Sequence, residues 1–221
     1  MELTLKNIGK IGDTTMEING ITVIAGQNNT GKSTVGRALF AMFNGFSNLS
    51  QKIANERIES IANIFSVATT MPVFARNYTL IIDKIKEKFN SHKDDFLTYD
   101  ITDQRHNVIE LLETIDENFT CSEEELDNII SGIKERLNIT DDTLRNRILK
   151  NILDIEFNNQ IRNIFSDNVA EIVLKIKKDS LRVTITQDDD IKIVNNGNLS
   201  LGTEAVYIDD PFVLDGNISF F

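Results

Sequence analysis

The chain has 221 residues, 41% of them hydrophobic, and a formal net charge of −11, enough to bury one good core with a large insertion carrying a second. That charge opposes a broad electrostatic grip on a phosphate backbone, which needs clustered Lys and Arg, and leaves room only for a local basic groove. The single cysteine, Cys121, excludes an internal disulfide, and no Cys/His cluster has the spacing of a structural metal site.

Met1 to Lys6 has neither the apolar stretch nor the cleavage site of a signal peptide. No run is long enough to span a bilayer, so the expected setting is cytoplasmic, with no membrane partner. Residues 2 to 8 and 14 to 18 alternate apolar and polar side chains around a turn at Gly9 to Asp13, predicting an antiparallel strand pair. Ile21-Thr22-Val23-Ile24-Ala25 is short, rich in β-branched residues and bounded by glycines, and reads as a buried parallel strand. Val35, Ala38, Leu39, Met42 and Phe43 then recur at helical spacing, with Gly45 where a helix would stop.

From about Asn48 to Phe165 the pattern is helical, broken near 69–72, 91–103, 119–122 and 138–142. Ser122 and Glu125 have capping-box spacing, and Thr140 precedes two acids of a first turn. Leu126, Ile129, Ile130, Ile133 and Leu137 form one apolar stripe, and Leu144, Ile148, Leu149, Ile152 and Leu153 another; both predict helix-to-helix packing. After Asp167 the period becomes two: Ile172, Leu174, Ile176; Leu181, Val183, Ile185; Ile191, Ile193. This predicts a β meander, followed by a loop and the apolar run Ala205-Val206-Tyr207-Ile208 before Asp209-Asp210-Pro211. The expected organisation is a discontinuous lobe, residues 1–47 and 167–221, interrupted by a helical insertion at 48–166.

Gly26-Gln27-Asn28-Asn29-Thr30-Gly31-Lys32-Ser33-Thr34 satisfies G-x-x-x-x-G-K-[ST], the Walker A pattern, between the predicted strand and the predicted helix. A chance match in a chain of this length is on the order of 1%. Gly26 and Gly31 permit backbone angles and close approach that a Cβ would obstruct, so that successive N–H groups curl around a phosphate. The helix adds its unsatisfied first-turn N–H groups and positive dipole end. In this chemistry Lys32 reaches the β- and γ-phosphates and serves as the catalytic cation, Ser33 is a Mg²⁺ ligand, and Thr34 faces the α-phosphate. The implied ligands are ATP and Mg²⁺. His92, His106 and Cys121 have no partners at catalytic or ligand spacing.

Leu3-Thr4-Leu5-Lys6-Asn7-Ile8, the turn, Thr14 to Ile18, Gly20-Ile21-Thr22-Val23-Ile24 and the Asn-containing loop together resemble the amino-terminal lobe of ATP-binding-cassette-type ATPases. Within the AAA-family ATPases the likeness is to the structural-maintenance-of-chromosomes, recombination-protein F and overcoming-lysogenisation-defect group, over about residues 1 to 45. The resemblance implies an α/β P-loop fold with an antiparallel β subdomain and an all-helical insertion, in the N-terminal part of a longer protein. It further implies a homodimer or partner lobe completing each site, DNA contacted through the full-length assembly, and work in DNA repair, chromosome maintenance or phage defence. A basic residue near the first strand turn holds the nucleotide in such proteins, and Lys10 is the nearest candidate here. Gln104 and Gln160 are the candidates for their γ-phosphate-sensing Gln.

Ala205 to Pro211 resembles a Walker B strand, with Asp209 in the Mg²⁺ shell and Asp210, usually Glu in the family, orienting the attacking water. Against it, Leu199-Ser200-Leu201-Gly202 leaves no room for the signature helix that the family places before Walker B. A strand and turn of the lobe, with the true Walker B beyond a truncation, is the competing reading. Two further functional readings stand beside the ATPase: a nucleotide-dependent switch or interaction module without hydrolysis, and a transporter ATPase subunit.

Overall fold

A computed structural model describes residues 1–68, 71–90, 93–117, 119–196, 201, 205 and 206. They fall into two units, one drawn from residues 1–49 and from residue 145 onward, the other from residues 50–144.

In the first unit β1 (Glu2–Ile8) and β2 (Ile11–Glu17) form the expected hairpin, Leu5 opposite Thr14. The other edge of β1 pairs with β3 (Ala170–Ile176), Leu5 opposite Ile172. With β4 (Asp179–Ile185) and β5 (Ile191–Asn196) this completes a five-stranded antiparallel sheet in the order β2-β1-β3-β4-β5. The expected alternation holds in β4, because successive side chains of a strand point to opposite faces, whereas in β3 Val173 on the other face is buried as well and Ile176 is half-buried. Ile172, Leu174, Leu181, Val183, Ile185, Ile191 and Ile193 are all buried in one core with Leu3 and Leu5 of β1. At the end of β1, Asn7 takes a left-handed φ of 52°, which Asn tolerates better than most residues, and Ile8 rejoins the core fully buried.

Helix α1 (Lys32–Phe46) lays Val35, Ala38, Ala41, Met42 and Phe46 into that core. Gly45 lies inside its last turn, where a Cβ would stand 2.6 Å from Leu149 Cδ1. The missing side chain lets α7 (Asp141–Phe157) approach, and Leu149, Leu153 and Phe157 complete the sheet's core. Periodicity alone groups these residues with their helical neighbours.

Two strand expectations meet a different structure. Residues 21–25 are not a buried parallel strand: residues 18–27 form neither helix nor strand, and Ile21 and Val23 are 95% and 83% exposed. A parallel strand is buried only when neighbours flank its edges and helices cover its faces. Among the described residues the one parallel pairing is the single bridge Ser47 to Leu201, so the segment has no such neighbour. Of the later apolar run, Ala205 and Val206 are described; neither is in a strand, and Val206 is 80% exposed. Asp209 and Asp210 lie outside the described residues.

The second unit holds α2 (Leu49–Ala68) from its second residue, then α3 (Met71–Ile85), which continues into a π-helical turn over Lys86–Asn90. Helices α4 (Lys93–Thr98), α5 (Ile101–Ile115) and α6 (Glu123–Asn138) and the first turn of α7 follow. Ile61, Phe65, Ile81, Ile85, Leu112 and the whole Leu126 to Leu137 stripe share its core. Ser122 caps α6 with the reciprocal Glu125 contact that the spacing predicts, and the Thr140 hydroxyl accepts from the Thr143 N–H at 3.2 Å.

The end of α6 is closed from a distance. Arg57 of α2, 8% exposed, donates through Nη1 to the carbonyls of Arg136, Leu137 and Ile139 at 3.1, 3.0 and 2.8 Å. Its Nη2 pairs with Asp141 at 2.6 Å. Those carbonyls lie at the C-terminus, where a helix runs out of its own donors; that of Arg136 also accepts from the Ile139 N–H at 3.4 Å. Arg57→Met, which keeps the bulk and removes the donors, is expected to destabilise the unit by roughly 2–4 kcal/mol in denaturant unfolding. A second expectation concerns acid. The Glu125 carboxyl is held below its usual range by the Ser122 backbone N–H and then by the Ser122 hydroxyl. Its stabilisation is therefore complete above the ordinary carboxylate range and lost as pH falls through the depressed value. Glu125→Gln should flatten the acid side of a stability-against-pH curve.

Candidate phosphate-binding site

The site begins at the corner between β1 and β2. Gly9 there has φ 53°, and a Cβ on it would lie 3.3 Å from both Oγ1 and Cγ2 of Thr34. Gly31, the residue before α1, has φ 92°, and a Cβ on it would lie 2.9 Å from Ile11 Cγ1. Two glycines thus let the hairpin corner close onto the start of α1. The corner is itself pinned from behind, since the Gly9 N–H donates to the Ile161 carbonyl at 2.8 Å and the Asn163 N–H to the Asn7 carbonyl at 2.8 Å.

Within the loop the Thr30 hydroxyl donates to the Gln27 carbonyl at 2.8 Å, and Asn29 takes φ 70°. Lys32 folds back over the loop, its ammonium on the carbonyls of Gly26 at 2.9 Å and Gln27 at 2.5 Å. Lys10 reaches across from the corner to donate to Asn29 Oδ1. Ser33 is exposed in the first turn of α1, while Thr34 is half-buried against Gly9.

These groups line a cleft of about 560 Å³ that also takes in Arg37 of α1 and the segment after α7. Its charged lining is Lys10, Lys32, Arg37 and Arg162, with no carboxylate among them. Arg37 Nη1 donates to the Glu156 carbonyl at 3.3 Å, and Arg162 Nη1 to the Gln187 carbonyl at 2.9 Å. Four cations on one cleft form a local field that favours a polyanion, in a chain whose overall charge is −11.

Of the expected site residues, the structure brings together Lys10, Asn28, Asn29, Gly31, Lys32, Ser33 and Thr34 as lining, with Gly26, Gln27 and Thr30 forming the loop behind them. Gln160 lines the cleft. Gln104 does not serve there: it is 1% exposed inside the helical unit, where its amide nitrogen donates to the carbonyls of Phe96 at 2.9 Å and Tyr99 at 3.0 Å. Asp209 and Asp210 are outside the described residues, as is His92. Cys121 is a free thiol whose pKa burial pushes up. Among the described residues no group of His, Cys, Asp and Glu could hold a metal ion by itself, and no helix is long and apolar enough to cross a membrane. Sequence reasoning missed Arg37 and Arg162. Arg37 follows the loop by one turn on the same helix and was open to inference, whereas Arg162 arrives through the bridge between Ile8 and Arg162, which no local pattern announces.

A family model described as an AAA domain matches residues 2–199. The chain belongs to the AAA-domain family. The match supports a nucleotide-binding P-loop ATPase, and it spans the hairpin, the loop, the helices and the meander together. Neither the search of curated proteins nor that of solved structures found a match.

In this AAA domain the tightest test of the geometry is Gly31. Gly31→Ala places a Cβ both at a left-handed φ and against Ile11, so it is expected to cost at least about 1–2 kcal/mol. A lowered thermal midpoint relative to Gly12→Ala, where a Cβ meets nothing within 4 Å, would register it.

Proposed function

We propose that this AAA domain binds ATP with Mg²⁺ in the cleft at the start of α1, as an ATP-binding-cassette-type lobe of an ATPase. One observation carries the reading: four cations and no carboxylate surround a glycine-hinged loop that opens directly into a helix. Lys32 is held by neutral carbonyls, so an incoming phosphate replaces neutral acceptors with charged ones and both partners of each hydrogen bond then carry charge. Lys10 and Arg162 likewise rest on amide and carbonyl oxygens. The residues fit Mg²⁺ in a limited way: Ser33 offers one hydroxyl, and this ion commonly takes few protein ligands and the rest from phosphate and water. When bound it would neutralise charge on the phosphate oxygens. Asp209 is proposed as a second contact to it and Asp210 as the group orienting the attacking water.

The ATP-binding-cassette assignment is supported by the residues of the hairpin and loop that resemble that group. From the same resemblance we propose a cytoplasmic protein that works as a homodimer or with a partner lobe, reaching DNA through the full assembly in repair, chromosome maintenance or phage defence. Completing each site across a dimer would supply charge stabilisation that ground-state binding does not need and hydrolysis does.

Binding is tested by thermal unfolding. Saturating Mg²⁺-ATP at about 100 times its Kd should stabilise the chain by about 2.7 kcal/mol, and Lys32→Ala should remove most of that shift. An unchanged midpoint at millimolar ATP, with folded protein, would remove the proposal. Ser33→Ala should retain nucleotide binding while losing its Mg²⁺ dependence. For turnover, single-turnover hydrolysis by the isolated chain should stay near background in wild type, Asp209→Asn and Asp210→Asn alike; robust turnover abolished by either change would instead establish a self-sufficient site.

A further inference from the structure

We propose that Phe165, with Ile164 beside it, is the base platform of this cleft: the nucleobase stacks on the Phe165 ring while the phosphates lie on the loop. The inference rests on the phosphate reading above and adds where the other end of the ligand goes.

Ile164 and Phe165 are 76% and 89% exposed, among the largest apolar exposures of the described residues, and both line the cleft that holds Lys10 and Lys32. Their backbone is tied down on both sides. Asn163 donates its N–H to Asn7, its side-chain Oδ1 accepts from the Phe165 N–H at 2.9 Å, and its carbonyl accepts from the Ser166 N–H at 3.2 Å. The Gly9 N–H holds Ile161 just before. The ring is thus presented from the same hairpin corner that meets the phosphate loop, by an Asx-type turn.

What covers such a ring follows from its neighbours. An apolar protein surface laid on Phe165 would also cover Lys10, Lys32 and Arg162, which rest on neutral oxygens, and burying a charge without a counter-charge is costly. A ligand with an aromatic face at one end and a string of anionic oxygens at the other matches both halves at once. A nucleoside triphosphate has that form, and the cleft's volume lies in the range of small-molecule sites. Stacking reads the presence of a π-face more than its identity, because every base has one. Gln160, on the same lining, has an amide that both donates and accepts and can meet a base edge.

The test separates the two ends of the ligand. Equilibrium binding of ATP and of inorganic tripolyphosphate is measured on the full chain as wild type, Phe165→Ala, Phe165→Trp and Lys32→Ala. Phe165→Ala should weaken ATP roughly tenfold and leave tripolyphosphate unchanged, whereas Lys32→Ala should weaken both. The chain has no Trp, so Phe165→Trp makes a lone reporter; it should keep ATP affinity, and its emission should respond to ATP and not to tripolyphosphate. Unligated thermal midpoints matching wild type check that the exposed-site variants fold. Unchanged ATP affinity in Phe165→Ala, or Trp emission indifferent to saturating ATP, overturns the platform while leaving the phosphate site standing. Failure of wild type to bind either ligand overturns both.

Discussion

The contact between the hairpin corner and the first turn of α1 is the constraint from which the rest of the sheet unit follows. It exists because Gly9 and Gly31 have no Cβ: at one position a side chain would press on Thr34, at the other on Ile11. Both adopt positive φ, which glycine reaches without the steric penalty of other residues. With the corner in place, β1 pairs on its far edge with β3, and the segment after α7 hydrogen-bonds to Asn7 and Gly9. Pieces of chain more than 100 residues apart in sequence therefore converge on one point. Gly45 repeats the device at the other end of α1, where its bare backbone admits Leu149.

The electrostatics depend on the same convergence. A net charge of −11 disfavours an anionic ligand at long range, but screening over about 8 Å at physiological ionic strength makes the nearest charges decide. Lys10 comes from the corner, Lys32 and Arg37 from α1, and Arg162 from the segment after α7. Lys32 and Arg162 are held by carbonyl oxygens, and Lys10 by an amide oxygen. Neutral partners fix the geometry without cancelling the charge, which a carboxylate at any of these places would do.

Local features were the legible ones. The Ser122-Glu125 box, the Leu126 to Leu137 stripe, the hairpin and the three meander strands are each specified by spacing within one element. So was the place of the loop, directly before a helix that begins at Lys32. What escaped depends on contacts distant in sequence. Arg57 closes a helix some 80 residues away, a role that no periodicity marks. Arg162 and Phe165 matter only because Ile161 and Asn163 bond to the hairpin. Residues 21–25 failed for a related reason: an apolar, β-branched run states a preference for burial, but burial needs a partner, and the described residues give it none.

The two cores bear on what each part of the chain contributes. No buried residue belongs to both, the sheet unit's core containing Leu3 to Phe46 and Leu149 to Leu201, the helical unit's Ile58 to Leu137. Every residue lining the phosphate cleft belongs to the first unit. The lining of this cleft is therefore drawn from residues 1–49 and 145 onward, and none of it from residues 50–144. The helical unit nevertheless has its own specification, in the Arg57 network and the α6 cap. A segment that merely joined the two halves of the sheet unit would need neither a buried guanidinium serving three carbonyls nor a reciprocal cap, since loop closure alone demands little of sequence. Such investment in a unique helical packing is what a surface must have before it can present one shape to anything else.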